Sequence, residues 1–124
     1  MASILSISYD PSLLATRELV LRQAGYQVAS ALQFADALRL CSQGTFDLII
    51  IGHSIPRSEK QDLLVEIRKV CNTPVLSLYR ASHGPLEGVD YALDGLEGPE
   101  ALLAVIRKAL ANGRIQQNES SAAD

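Results

Sequence analysis

The sequence predicts an α/β protein: one open parallel β-sheet with helices on both faces. Three observations carry that expectation. Short apolar runs alternate with helix-period stretches along the chain, the order that βαβ crossovers produce. The run Phe46-Asp47-Leu48-Ile49-Ile50-Ile51 is the most β-branched and apolar on both faces, as a central parallel strand must be. Glycine or proline marks most of the junctions between runs.

Ile4, Leu5 and Ile7 form the first strand, which ends at Asp10-Pro11, an N-cap followed by a proline at the first helical position. The spacing of Leu13, Leu14, Val20, Leu21 and Ala24 predicts a helix over 11–24 with these residues inward, ended by Gly25. Residues 26–29 alternate like a strand. Phe34, Ala37, Leu38 and Cys41 fall at i, i+3, i+4 and i+7 and predict an amphipathic helix over 33–42, which Gly44 stops. The strand over 46–51 follows and is broken by residues 52–56. Leu63, Leu64, Ile67, Val70 and Cys71 share one face of a helix over 60–71. Residues 74–79 read as the fourth strand and, less strongly, 89–93 as the fifth. Pro99 opens the last helix, with Leu102, Leu103, Ile106 and Leu110 inward and Gly113 as its stop. Gly84, Pro85 and Gly88 make a long helix over 80–88 improbable. The expected division is one domain over residues 1–111 and a polar, frayed tail over 112–124.

Length and composition agree with a single soluble core. The chain has 124 residues, a net charge of −3 and 48% hydrophobic residues, enough for one domain without disulfide or metal staples. The mild acidity argues against a nucleic-acid binder, which needs excess Lys and Arg. Two cysteines, Cys41 and Cys71, form no Cys-x-x-Cys pair, so a thiol–disulfide motif or cysteine zinc site is not expected. No apolar run reaches the ~18 residues of a membrane span, and the start has no basic region or cleavage pattern of a signal peptide. The expectation is a cytoplasmic protein without membrane association.

In open parallel sheets the working edge is the crest at the carboxyl ends of the strands. The residues there are Ser8, Tyr9 and Asp10; Gly52, His53 and Ser54; Tyr79 and Arg80; Asp94 and Gly95. At these positions the sequence resembles the receiver domain of bacterial two-component response regulators, from Ile4 to about Leu110. Gly25-Tyr26-Gln27-Val28 resembles the family's Gly-aromatic-x-Val approach to strand two, and Ala37-Leu38 its helix-two pair. Asp47 to Ile51 with Pro56 resembles strand three and its following proline. Residues 63–68 resemble helix three, Thr73-Pro74-Val75 the start of strand four, and Asp90-Tyr91 with Pro99 to Leu103 strand five and helix five. The resemblance implies a flavodoxin-like (CheY-like) doubly wound sheet of strand order 2-1-3-4-5.

The resemblance also implies a pocket, and the residues depart from it. Receivers hold Mg²⁺ with two adjacent acids after strand one, accept a phosphoryl group on an aspartate ending strand three, and contact it with a Ser or Thr after strand four and a Lys after strand five. The acid pair here is Ser8 and Tyr9, the acceptor is Gly52, the hydroxyl position is Tyr79 and the lysine position is Asp94. Glycine offers no carboxylate for an acyl phosphate, and Mg²⁺ wants carboxylate ligands, of which Asp10 alone remains beside strand one. Asp94 puts a negative charge where a cation would meet the phosphoryl group. The expectation is a degenerate pseudo-receiver without cofactor or metal. Tyr9 or Tyr79 is expected to fill the emptied space, each with a hydroxyl that needs a partner if buried. Tyr91 matches the family's switch aromatic and also reads simply as a half-buried strand residue. Tyr79 to Asp94 spans only 15 positions, so helix four should be one turn or absent.

Gly52-His53-Ser54 resembles the start of a hydrolase nucleophile elbow, but Pro56 stands where the second glycine belongs. His53 and His83 lack further ligands at metal-site spacing. Cys41 and Cys71 sit on inward helical stripes as small hydrophobes. Arg57, Lys60, Arg68 and Lys69 read as a solvated helix face or, more weakly, a docking patch for an acidic partner. The functional expectation is a non-enzymatic interaction module in or beside a two-component phosphorelay. Its implied partner is a signalling protein or sensor kinase, with homodimerisation as a further option. The alternatives are phosphorylation on Asp10 or Ser54, or small-molecule sensing in the strand-end crevice.

Overall fold

Strand β1 (Ser3–Ile7) is buried at four of its five positions because helices cover both faces of a parallel sheet. It lies between β2 (Gln27–Ala31) and β3 (Leu48–Ile51), which is buried along its whole length. β4 (Val75–Tyr79) and β5 (Tyr91–Asp94) complete the sheet. All pairings are parallel and the order is β2-β1-β3-β4-β5, the CheY-like flavodoxin order expected. This computed structural model describes residues 2–80, 86–95 and 97–112. Gly84, Pro85, His83, Gly113 and the tail from 113 onward lie outside the described residues.

Helices α1 (Pro11–Gln23) and α4 (Pro99–Asn112) cover one face; α2 (Phe34–Gln43) and α3 (Arg57–Val70) cover the other. Alternation along the strands divides the core. Leu5, Ile7, Ile49, Ile51 and Val75 point to the α2/α3 side; Ile4, Leu48, Ile50, Leu76 and Leu78 point to the α1/α4 side. At about 25 cal/mol per Å² of apolar area removed from water, these two layers supply the main driving force for folding.

Between β4 and β5 no helix occurs among the described residues; Leu86 to Asp90 form turns. The face is covered differently. Leu86 enters the core on the α2/α3 side, and Asp90 is nearly inaccessible. Its Oδ2 accepts from Val75 N at 2.9 Å and from Arg68 Nη2 at 2.8 Å. One carboxylate therefore ties the short crossover to β4 and α3. The last helix, fifth in the usual order of this fold, is α4 here.

Several local expectations are corrected. Ala24 and Val70 are exposed: Ala24 is the C-cap just past the end of α1, and Val70 is the last residue of α3. β2 runs from 27 to 31 rather than 26 to 29, and β5 from 91 to 94 rather than 89 to 93. α3 starts at Arg57 rather than 60. Its basic residues are not simply a solvated face. Lys60 is 6% exposed, and Arg68 is ion-paired with Asp90.

Candidate functional site at the strand crest

The carboxyl ends of β1, β3, β4 and β5 bring the sequence-derived residues to one edge of the sheet. Backbone bonds set their positions: Gly52 N donates to Ile7 O at 2.9 Å, Ser8 N to Ala31 O at 3.1 Å, and Gly95 N to Tyr79 O at 2.7 Å. Ser8 is fully buried. Its hydroxyl shares a 2.8 Å hydrogen bond with Ser54 Oγ, which also accepts from Tyr9 N at 3.2 Å. Asp10 N donates back to Ser8 Oγ at 3.1 Å. The turns after β1 and β3 are thus stitched together through two serine hydroxyls.

Asp10 acts as the N-cap of α1, its Oδ1 accepting from Ser12 N at 2.9 Å and Leu13 N at 3.3 Å. Tyr9 does not fill the centre of the crest. Its ring packs against the core on the α2/α3 side. Burial, together with the neighbouring Glu59 carboxylate, pushes its hydroxyl up to about 12. Tyr79 and Asp94 stand opposite each other in register. Tyr91 is half-buried, three positions short of that edge, with burial and Asp90 raising its hydroxyl.

The group that occupies the centre is Arg17. It is 7% exposed and reaches up from α1 so that Nη1 donates to Ser6 Oγ at 3.1 Å and to Ile7 O at 3.5 Å. A Cβ on Gly52 would lie 3.0 Å from Arg17 Nη2 and 3.0 Å from Ile7 O. Glycine at 52 is what leaves room for the guanidinium. No carboxylate lies within ion-pair distance of Arg17 among the described residues, and burial lowers it to about 10.

His53 divides the crest. On one side, with Arg17 and Asp94, it lines a mainly apolar cleft of about 210 Å³ between α1 and α4. On the other, with Lys60 and Arg80, it lines a cavity of about 150 Å³ at the amino end of α3. Its ring lies across Gly95, where a Cβ would come within 2.5 Å of Cδ2. Its Nδ1 is buried without a hydrogen-bond partner. Burial, then Arg80, Arg17 and Lys60, hold its pKa below the usual imidazole value. Lys60 Nζ donates to Leu78 O at 2.5 Å, and burial with Arg57 nearby lowers it to about 8. No group of three or more His, Cys, Asp or Glu side chains is arranged to hold a metal ion among the described residues.

Arg17 and Lys60 were missed by the search of strand ends, yet a signal existed. Leu14, Arg17 and Leu21 fall at i, i+3 and i+7, as do Lys60, Leu63 and Ile67, so each cation sits on its helix's inward stripe. Gly95 acquires its role only from the ring of His53.

The sequence matches no protein-family model and no curated protein. The fold has many solved counterparts. A CheY-like response regulator receiver domain protein from Methanospirillum hungatei JF-1 superposes with a TM-score of 0.79 at 22% identity, covering 90% of this chain and 94% of its own. A response regulator receiver domain protein from Clostridium thermocellum gives 0.77 at 23%, covering 90% and 95%. The response regulator TrrA from Thermotoga maritima, solved in complex with Mg²⁺ and BeF, gives 0.77 at 22%, covering 87% and 98%. At these identities the likeness shows the fold.

Proposed function

We propose that this chain is a non-enzymatic signalling module with the receiver fold, working in or beside a two-component phosphorelay. It binds a protein partner, a signalling protein or sensor kinase, without aspartyl phosphorylation and without Mg²⁺. One observation carries the reading: the acceptor position is Gly52, and the space a side chain would take is filled by the buried Arg17 guanidinium. The residues present do not fit Mg²⁺. The acid pair is Ser8 and Tyr9, the remaining carboxylate of that turn caps α1, and a fixed cation stands at the centre. A hard divalent ion beside an unneutralised guanidinium is disfavoured by Coulomb repulsion.

The geometry also weighs against the alternative acceptors. Asp10 has Oδ1 committed to two backbone amides, and Ser54 Oγ is held by Ser8 and Tyr9. The test is incubation with acetyl phosphate and Mg²⁺ followed by intact-mass measurement under denaturing conditions. The expected result is an unchanged mass. A gain of one phosphate, mapped to Asp10 or Ser54, would replace this reading with unconventional phosphorylation.

A further inference from the structure

We propose that the cavity at the amino end of α3 binds a phosphate group non-covalently, either inorganic phosphate or the phosphate of a small monoester. The inference goes beyond the reading above and does not rest on it. The site differs from the acceptor position: it lies on the α3 side of His53 and is built from α3 and the end of β4.

The cavity, about 150 Å³, is lined by His53, Ser54, Arg57, Lys60, Tyr79 and Arg80, with apolar residues completing it. No described lining residue is acidic, although the chain as a whole carries a net charge of −3. Lys60 is the strongest indication. It is 6% exposed, its ammonium donates to the neutral carbonyl of Leu78, and no carboxylate lies within 4.0 Å among the described residues. Burying an ammonium without a counter-charge is costly, and an anion in the cavity it lines would supply that charge. Glu59, the acid in the first turn of α3, is engaged with Tyr9 instead.

A second feature points the same way. The N-cap of α3 is Pro56, which provides no side-chain acceptor for the open amides of the first turn, and those amides with the helix dipole favour an anion. Tyr79 adds a hydroxyl to the lining. Arg57 and Arg80, both exposed, stand at the mouth, where guanidinium groups suit phosphate oxygens. The small volume suits a phosphate group, with the remainder of a monoester projecting through the mouth.

The test uses the full ¹⁵N-labelled chain titrated with inorganic phosphate, and separately with glycerol phosphate, at ionic strength held constant with chloride. Saturable amide shifts centred on Ser54, Ile55, Arg57 and Arg80 are expected, with no change in intact mass. Lys60→Met and Arg80→Ala should each weaken binding by about tenfold, the loss of one charge-assisted contact. Arg80 is exposed, so R80A keeps the test decisive if K60M fails to fold. Saturation by the monoester alone supports the site and identifies the ester as its ligand. Shifts that stay linear, that chloride reproduces, or that neither variant alters would overturn the proposal. Acetyl phosphate labelling decides the earlier reading separately, so each can fail without the other.

Discussion

Replacing Arg17 with methionine should stabilise the protein, although it removes a buried hydrogen-bonded side chain. The guanidinium is 7% exposed, and burial alone lowers its pKa well below the usual guanidinium value, to about 10. That difference is worth about 3 kcal/mol against the charged form. No carboxylate compensates for it among the described residues. Because a depressed cation is disfavoured wherever it is charged, the cost is constant across neutral pH. Against it stand the bonds to Ser6 Oγ at 3.1 Å and Ile7 O at 3.5 Å. Losing them and leaving the fully buried Ser6 hydroxyl unpaired costs about 2 kcal/mol. Methionine preserves most of the volume. The expected net is about 1 kcal/mol of added stability, or roughly 4 °C in Tm for a domain of this size. Urea denaturation and thermal melting followed by circular dichroism at pH 7 measure it. A loss of more than about 2 kcal/mol would mean that the guanidinium is a net stabiliser, and the argument from desolvation would be refuted.

Gly52→Ala should destabilise by about 1–2 kcal/mol, because its Cβ meets the rigid Ile7 carbonyl as well as Arg17. Combining it with Arg17→Met should not abolish the loss in the same urea experiment. Asp90→Asn should lower the urea midpoint by the equivalent of about 2–3 kcal/mol, since it weakens the contacts to Arg68 and Val75 that fix the short crossover. His53 has a folded pKa below its unfolded value of 6.5, so the unfolded chain takes up its proton first. Its contribution to stability is complete above the unfolded value and is lost as pH falls, and His53→Gln should flatten the decline between about pH 7 and pH 5. Cys41 is buried, with its thiol pushed up to about 12 by burial and then by Cys71. Iodoacetamide at pH 8 should therefore spare it in the native protein and modify it in urea, as read by peptide mass spectrometry.

Most of the fold was legible because its signals are local. The both-face apolarity of Leu48 to Ile51, the Asp10-Pro11 start of α1 and the stripe through Leu63 and Ile67 each follow from periodicity or capping. The shortened crossover was visible in the spacing of Tyr79 and Asp94. What covers it was not, because Asp90, Val75 and Arg68 meet only in three dimensions. The crest was legible as a set of positions, not as an arrangement. A search of strand ends finds Ser8, Gly52 and Asp94, whereas the charges that define their surroundings arrive from the helices. Arg17 and Lys60 were readable as polar interruptions of apolar stripes, but basic side chains on a helix usually reach solvent. Only burial distinguishes these two. The sequence offers Tyr9 or Tyr79 to fill the centre, and the ring of Tyr9 does not do so. Its ring instead joins the apolar layer beneath α2 and α3, leaving the centre to a cation that hydrogen-bonds to β1.

Amide NMR shows whether this receiver fold operates, as proposed, without metal-dependent phosphoryl chemistry. The ¹⁵N-labelled chain is titrated with Mg²⁺ and then with beryllofluoride in its presence. No saturable Mg²⁺-dependent shift is expected at Ser8, Tyr9, Asp10 or Gly52, and no change there that requires both reagents. Saturable shifts at those four amides, dependent on Mg²⁺ and completed by beryllofluoride, would contradict the proposal.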